Sequence, residues 1–372
     1  MSVDLGSIIR THGPAFLKKH QESLGYQQKR ALNAIAKCRT GELGQSVYQC
    51  HKCHRKHVTN GSCSNRHCPL CQGHKTVGWV KAQQLKRLPV EYYFVTFTIP
   101  SELRQIIKRL GSKAYRLMFQ ASSEVIKEIM SNPKNLGVTC VGFTSLLHTW
   151  GSQLQDNPHI HIILPGGGLT EDDKWKSFPK GFAFHASKAS KLWQGKLLKG
   201  LEDLVGREKM PKNIFEKEPI VNLKSAGDGR NIVKYLSRYV FKTGISNQRI
   251  ISLENGEVTF KYKKVVKGKR VDDVMTLSAD KFILRFVSHI LPKGLVRVRH
   301  YGFNHSNSKI DLDVLKLKIM DFDDQLLWHI KEAKLDEKED IKIIRPICPQ
   351  CKIEMDLIDV IRETVKKFNM TG

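Results

Sequence analysis

The 372-residue sequence predicts an α+β fold, in which a cysteine-rich N-terminal segment precedes a domain built on a central antiparallel sheet with flanking helices. Six of the nine cysteines fall between Cys38 and Cys71, in a stretch with little apolar periodicity. Beyond it, runs rich in β-branched and aromatic residues alternate with runs whose apolar residues recur at helical spacing. Because two strand-like runs follow one another directly, we expect antiparallel pairing.

The N-terminal segment, which we assign to residues 1–85, begins with a basic helical arm. Residues 27–37 contain good helix formers, with Leu32 and Ile35 at helical spacing. From Cys38 to His74 the composition shifts to Cys, His, Gly, Asn and Ser. That composition is typical of a segment ordered by a bound metal rather than by an apolar core.

Two Cys-x-x-Cys knuckles in this segment predict a zinc site. Cys50 and Cys53 form the first knuckle, and Cys68 and Cys71 form the second. Two tight turns of this kind bring four thiolates around one tetrahedral zinc, and a site with four protein ligands is structural rather than catalytic. Ordinary buried thiols or a redox pair are the alternative. Side chains that could replace one ligand or bind a second metal are Cys38, Cys63, His54, His57 and His67.

The following segment, residues 86–310, contains the elements of the predicted sheet domain. A strand at 91–99 ends at Pro100, and further strands are expected at 138–150 and 159–164. A hairpin is predicted over 250–262, centred on Asn255-Gly256. Helical spacing predicts helices over 101–131, 185–205, 230–242 and 279–290.

The remaining residues, 311–372, predict a charged helical extension with a third knuckle. Residues 311–334 have a helical pattern, and Cys348-Pro-Gln-Cys351 stands apart in the tail that follows. This knuckle is half of a zinc site, whose missing pair comes from elsewhere in the chain or from a partner chain. Two free thiols are the alternative.

The charge balance favours a polyanionic partner. The chain has 62 Lys and Arg against 36 Asp and Glu, which gives a net charge of +26. Nucleic acid would relieve the self-repulsion of so basic a protein, and Arg66 beside the second knuckle suits contacts to phosphate. A membrane-spanning segment needs about 18 or more consecutive apolar residues, and the sequence has no such run. The N-terminus has no pattern of a secretory signal, so we expect a cytoplasmic protein.

A pair of histidines on the strand at 159–164 is a candidate metal site. Strand geometry places His159 and His161 on one face, while Ile160 and Ile162 point to the other. Two imidazoles side by side can bind a divalent cation, although such a pair is as often structural.

A pair of tyrosines on the helix at 230–242 is a candidate pair of nucleophiles. Tyr235 and Tyr239 are four residues apart and share one helix face. The neighbouring cations Lys234, Arg238 and Lys242 favour the phenolate and would neutralise a phosphodiester. Core packing of the two rings is the alternative.

These residues resemble the HUH endonuclease superfamily and, within it, the two-tyrosine rolling-circle transposases of bacterial insertion sequences of the insertion-sequence ninety-one type, which carry an N-terminal transposase zinc-binding domain. The resemblance covers most of the chain. The motifs that carry it are Cys38-Arg-Thr-Gly-Glu-Leu-Gly44, Cys63-Ser-Asn-Arg-His-Cys-Pro-Leu-Cys71, Thr96-Phe-Thr-Ile-Pro100, Asn157-Pro-His-Ile-His161 with Pro165-Gly-Gly167, Tyr235-Leu-Ser-Arg-Tyr239, His289-Ile-Leu-Pro292 and Arg299-His-Tyr-Gly302.

The resemblance implies an activity and a site. It implies that His159 and His161 hold Mg²⁺ or Mn²⁺, and that Tyr235 and Tyr239 cut and rejoin single-stranded DNA through 5′-phosphotyrosine links during rolling-circle transposition. The partners would be the ends of a mobile element and its target DNA, in the nucleoid region of a bacterial cytoplasm. Candidates for a third polar metal ligand are Gln155, Asp156 and Asn231.

Two other functions remain open at this point. A plasmid replication initiator or relaxase would use the same site. A zinc-dependent DNA-binding regulator would bind DNA without forming any covalent adduct, and in it the histidine and tyrosine pairs would be structural.

Overall fold

The computed structural model describes residues 3–179, 186–217, 220–228, 230, 243–266, 268–320 and 345–362. Its helices are α1 (Leu5–Lys19), α2 (Tyr26–Ala36), α3 (Pro69–Leu85), α4 (Arg104–Leu110), α5 (Ser112–Ser131), α6 (Ala186–Val205), α7 (Ala279–Ser288) and α8 (Leu312–Met320). Its strands are β1 (Gln45–Gln49), β2 (Lys56–Asn60), β3 (Tyr92–Thr98), β4 (Phe143–Trp150), β5 (Asp156–Pro165), β6 (Gly167–Leu169), β7 (Trp175–Ser177), β8 (Ile220–Ser225), β9 (Ile250–Glu254), β10 (Glu257–Val266), β11 (Lys269–Ser278), β12 (Val298–Tyr301) and β13 (Asp356–Ile361).

These elements form two units that interleave along the chain. The first comprises Met1–Lys75, Lys242–Ile290 and Glu339–Gly372, and the second comprises Thr76–Phe241 and Leu291–Lys338. The sequence patterns instead predict three consecutive segments, divided at residues 85 and 310. Sequence composition does not reveal this interleaving, because it depends on strand pairing and helix packing between distant segments.

In the first unit, α1 packs against α2 and α7. Asp4 caps α1, since its carboxylate accepts a hydrogen bond from the Ser7 backbone N–H at 2.6 Å. Asp280, in the first turn of α7, accepts a hydrogen bond from Lys19 Nζ at 3.0 Å. The buried faces of these helices contribute Leu5, Ile8, Phe16, Leu32, Phe282 and Phe286 to the interior.

Two small antiparallel sheets belong to the same unit. β9, β10 and β11 form one sheet, in the order β11-β10-β9. The predicted hairpin at Asn255-Gly256 is therefore present, and a third strand, which was not predicted, extends it. The other sheet has the order β13-β1-β2, so the C-terminal strand pairs with a strand near the N-terminus.

The second unit is built on a five-stranded antiparallel sheet with the order β12-β4-β5-β3-β8. α5 and α6 pack against one another and cover one face, where Phe97, Ile160 and Trp193 are fully buried. Since side chains alternate along a strand, β3, β4 and β5 also present a second set of residues on the opposite face. The predicted α+β fold, with a central antiparallel sheet and flanking helices, is confirmed.

Individual elements differ from prediction in their bounds. The helix predicted over 101–131 is divided into α4 and α5 at Gly111, whose φ of 53° lies in the left-handed region that terminates helices. Residues 138–142 do not join β4, which begins at Phe143. The helix predicted over 230–242 lies outside the described residues, as does the part of the helix predicted over 311–334 that follows Met320.

Candidate metal centres

Three histidines converge on the open face of the central sheet. His159 and His161 lie on β5, and His148 lies directly across from His159 on β4. His159 Nε2 is 3.1 Å from His148 Nδ1 and 3.0 Å from His161 Nε2. All three rings are buried, and their candidate ligand atoms lie within 4.8 Å of one another. The residues of β5 that alternate with the histidines, Ile160 and Ile162, face the core as predicted.

Hydrogen bonds fix two of these rings. His159 Nδ1 lies 2.6 Å from the Asn157 carbonyl oxygen and therefore donates its proton to that oxygen. In this tautomer Nε2 is unprotonated, and its lone pair can bind a metal. His161 Nδ1 lies 3.1 Å from the Thr96 hydroxyl, on the neighbouring strand β3. Partners of this kind orient metal-binding imidazoles and select their tautomer.

Burial favours the neutral form of the two imidazoles on β5, His159 and His161. It lowers the pKa of His159, and together with the nearby charge of His159 it holds the pKa of His161 well below its ordinary value. The neutral imidazole is the form that binds a metal. Two nitrogens that share one ion at about 2.1 Å lie roughly 3.0–3.4 Å apart, depending on coordination geometry. The distance between the two Nε2 atoms fits that range, so the triad fits a bound divalent cation.

His148 is a candidate ligand that the sequence patterns did not indicate. The candidates that they offer for a third ligand are Gln155, Asp156 and Asn231. Gln155 instead accepts a hydrogen bond from the Gln153 backbone, and Asp156 pairs with Lys108 at 2.8 Å. Asn231 lies outside the described residues. The available signal was a histidine in a second strand-like run, but only the β4–β5 register shows that it faces His159.

Tyr235 and Tyr239 lie outside the described residues, together with the cations Lys234, Arg238 and Lys242. Arg66, the other predicted DNA contact, is exposed on the loop before α3, where its Nε donates to His67 Nε2 at 3.3 Å.

The predicted zinc ligands are divided between two cysteine clusters. Cys68 and Cys71 join Cys38 and Cys63, whereas Cys50 and Cys53 join Cys348 and Cys351. The hairpin of β1 and β2 explains the division. Cys50 and Cys53 occupy its turn, and Cys38 and Cys63 lie beyond its open end. Strands of five residues span about 15 Å, so ligands at opposite ends of this hairpin do not share one ion.

The first cluster consists of Cys38, Cys63, Cys68 and Cys71. Cys38 follows the end of α2, Cys63 lies in the loop after β2, and Cys68 and Cys71 flank the start of α3. The sulfur of Cys71 is 3.5 Å from that of Cys38 and 3.6 Å from that of Cys63. Four sulfurs held at about 2.3 Å by a tetrahedral zinc lie about 3.8 Å apart, so this cluster fits the ion.

The ionisation of these thiols also fits a cation. The hydrogen bond with Cys68 lowers the pKa of Cys63 to about 5, which favours one thiolate. Burial raises the pKa of Cys38 to about 11, and the pKa of Cys68 is raised through its hydrogen bond with Cys63. The negative charge of a Cys63 thiolate therefore opposes ionisation of the neighbouring thiols. A bound cation would supply the positive charge that stabilises four thiolates together. The nearby histidines considered as ligands, His54, His57 and His67, are in neither cluster.

Comparison with known proteins agrees with both parts of this arrangement. A family model described as "Transposase zinc-binding domain" matches residues 8–99, and one described as "Putative transposase" matches residues 142–311. The first match contains the first cysteine cluster, and the second contains the three histidines. No solved structure gives a significant match.

Two relatives extend the comparison over most of the chain. This chain is similar to "Putative transposase y4qJ" of Sinorhizobium fredii, with 33% identity over 320 residues that cover 81% of this chain and 80% of the relative. It is also similar to "Transposase for insertion sequence element IS801" of Pseudomonas savastanoi pv. phaseolicola, with 27% identity over 290 residues that cover 72% and 67% of the two chains.

These matches define the protein class as a transposase. The chain belongs to the insertion-sequence transposases of the insertion-sequence ninety-one type, as its motifs predicted. Its substrates are accordingly DNA. Among the described residues, no helix has both the length and the apolar character that crossing a bilayer requires.

Proposed function

We propose that this transposase nicks and rejoins single-stranded DNA with the help of a divalent cation held by His148, His159 and His161. The observation that carries the proposal is the convergence of three buried imidazoles on adjacent strands, within the region that matches the transposase family model. Three imidazole ligands leave coordination positions for substrate oxygens. Open positions distinguish catalytic metal sites from structural ones.

We further propose Tyr235 and Tyr239 as the nucleophiles. A tyrosine oxygen would attack the scissile phosphorus, a 5′-phosphotyrosine ester would form, and the bond to the 3′ oxygen would break. The phenol proton is lost, and the departing 3′ oxygen gains one. When bound, the cation supplies Lewis-acid polarisation of the phosphate. A 3′-hydroxyl of another strand can then displace the tyrosine without ATP, because the ester retains the bond energy. Two tyrosines would allow donor and target ends to be held at once, as rolling-circle transfer requires.

The cation is proposed to be Mn²⁺ or Mg²⁺. Mg²⁺ prefers oxygen ligands and retains its water, whereas imidazole is a better ligand for the softer transition ions. The donor set of His148, His159 and His161 therefore leads us to expect half-maximal activity at a lower concentration of Mn²⁺ than of Mg²⁺.

The N-terminal region would recognise DNA and owe its order to zinc at the first cysteine cluster. Arg66 would contact phosphate there, and Lys234, Arg238 and Lys242 would neutralise the phosphodiester near the tyrosines. The net charge of +26 is consistent with contacts to a long stretch of backbone.

The test is covalent capture. Purified protein is mixed with a labelled single-stranded oligonucleotide pool and Mn²⁺, with and without chelator, and is resolved on a denaturing gel. We expect a protein–DNA band that chelator abolishes and that disappears when both Tyr235 and Tyr239 are changed to Phe. Each single tyrosine variant should impair strand transfer. Tyr26→Phe is the matched control, because Tyr26 is a well-exposed tyrosine outside the motif.

The histidines are tested in the same assay. His148→Ala, His159→Ala and His161→Ala should each abolish the band, whereas His305→Ala, at an exposed histidine, should keep it. DNA binding without any adduct, from a pool that contains the element's own ends, would instead identify a DNA-binding regulator. A normal rate of transfer by either single tyrosine variant would contradict the two-nucleophile model.

A further inference from the structure

The second cysteine cluster joins segments from opposite ends of the chain. Cys50 and Cys53 lie in the turn between β1 and β2, and Cys348 and Cys351 lie just before β13. We propose that these four cysteines bind a second structural zinc ion, which fastens the C-terminal segment 345–362 to the N-terminal strands. The proposal is independent of the DNA chemistry, because it concerns the folding of the first unit.

The strongest support is that the two knuckles have the same backbone structure. In each, the fifth residue donates its N–H to the carbonyl of the first cysteine: His54 to Cys50 at 2.9 Å, and Lys352 to Cys348 at 2.9 Å. Both donors have positive φ, 57° at His54 and 58° at Lys352, a conformation that non-glycine residues rarely adopt.

A second hydrogen bond repeats in the same way. The N–H of the first cysteine donates to the carbonyl of the sixth residue, from Cys50 to Arg55 at 3.0 Å and from Cys348 to Ile353 at 2.8 Å. In the C-terminal knuckle the Cys351 N–H also points at the Cys348 sulfur, at 3.4 Å. Two segments almost 300 residues apart thus form matching turns, each of which presents two sulfurs to the same point. Paired Cys-x-x-Cys turns of this kind form structural zinc sites.

The sulfur geometry fits zinc better than a disulfide. Cys53 and Cys348 have their sulfurs 3.6 Å apart, close to the spacing of about 3.8 Å around a tetrahedral zinc and far above the S–S bond of about 2.05 Å. The sulfur atoms of all four cysteines lie within 4.8 Å of one another. A disulfide would bring together only two cysteines, whereas a zinc ion needs all four. Cys50 and Cys348 are fully buried, so free thiolates there would lack solvation by water.

Within the described residues, backbone pairing and a contact of His51 Nδ1 with Asp356 Oδ2 at 3.4 Å also connect the C-terminal segment to the N-terminal strands. β13 pairs with β1 through its backbone, but every one of its side chains is exposed. Leu357 and Ile358, for example, are 50% and 48% exposed. Apart from the cysteines, the small cluster at this site buries only Met355 fully. Because apolar burial contributes little here, the metal–sulfur bonds of Cys348 and Cys351 would add substantially to the backbone pairing of β13 with β1.

The match to the zinc-binding family model does not account for this site. That match spans residues 8–99, which contain the complete first cluster but only Cys50 and Cys53 of the second. The N-terminal region would therefore complete its second site only with Cys348 and Cys351. A chain that ends before the third knuckle would bind one zinc ion instead of two.

The zinc content of the 372-residue chain tests the proposal. We expect two zinc ions per chain by native mass spectrometry and by elemental analysis. The double variant Cys348→Ser/Cys351→Ser should retain one. Cys140→Ser is the matched control, because Cys140 belongs to neither cluster, and it should retain two. One zinc ion in the unaltered chain, or two in the double variant, would overturn the proposal.

A second measurement uses the unaltered protein and so does not depend on the folding of a variant. In the zinc-loaded protein, alkylation of Cys348 and Cys351 by iodoacetamide should be slow, and chelator should accelerate it. Backbone hydrogen exchange over 356–361 should rise with the same treatment. Rapid labelling of Cys348 and Cys351 in the zinc-loaded chain would contradict the site. Resistance to labelling that persists with chelator and ends only on reduction would indicate a disulfide instead.

Discussion

The hydroxyl of Thr96 offers a sharp test of the histidine centre, because it touches a proposed ligand without being one. It lies on β3, 3.1 Å from His161 Nδ1, and therefore orients the ring whose Nε2 faces His159. Thr96→Val removes this hydrogen bond and keeps the shape of the side chain. Loss of such an outer partner lowers metal affinity about 10–100-fold, which is about 1.4–2.7 kcal/mol.

The assay is direct titration of the purified protein with Mn²⁺, followed through the electron paramagnetic resonance signal of the free ion. Thr98→Val is the matched control. Thr98 lies two residues further along β3, opposite His159, and within the described residues its hydroxyl shows no hydrogen bond to an imidazole. We expect a larger dissociation constant for Mn²⁺ only in Thr96→Val. Both variants should keep the melting temperature of the unaltered chain within a few degrees. Equal affinities for the two variants and the unaltered chain would refute the role of Thr96, and no Mn²⁺ binding by any of them would refute the centre itself.

Three further predictions concern stability and are measured by chemical denaturation of the zinc-loaded protein. Phe97→Ala should lower the free energy of unfolding by about 3–5 kcal/mol, because Phe97 is fully buried with its ring 5.1 Å from that of Trp193; a loss below about 1 kcal/mol would contradict this packing. Gly302→Ala should cost more than about 1 kcal/mol, since Gly302 has a φ of 54° and a Cβ there would overlap the Val141 carbonyl; an unchanged midpoint would contradict it. Burial lowers the pKa of His300, so below about pH 6.5 the unfolded chain binds a proton that the folded chain does not. The free energy of unfolding should therefore fall as the pH drops, and His300→Gln should make that fall shallower. An identical pH profile for the variant and the unaltered chain would contradict this role of His300.

The sequence predicted those parts of the fold that local patterns determine. The alternation of His159-Ile160-His161-Ile162 placed two imidazoles on one face and two isoleucines in the core, because strand periodicity fixes the direction of every side chain. Asn255-Gly256 located a hairpin for a similar reason, since type I′ turns need residues that tolerate positive φ, and both residues have it.

What the sequence could not predict depends on contacts between distant segments. His148 becomes a candidate ligand only through the register of β4 against β5, and that register is set by a loop and by the burial of both strands. A shift of one residue along β4 would turn the imidazole of His148 to the opposite face. Local spacing contains no information about that choice.

The cysteines illustrate the same limit more strongly. Three knuckles and three further cysteines can be combined in several ways. The short separation between Cys53 and Cys68 favoured placing them at one ion. The five-residue strands of the β1–β2 hairpin hold those two knuckles about 15 Å apart, and each is then completed by cysteines that the fold delivers to its end. Two zinc ions at opposite ends of one small hairpin would fix both its open end and its turn. In such an arrangement the metal-binding region depends on a pair of cysteines almost 300 residues away. The N-terminal strands and the C-terminal segment would therefore become ordered together when zinc binds and lose their order together when zinc is removed.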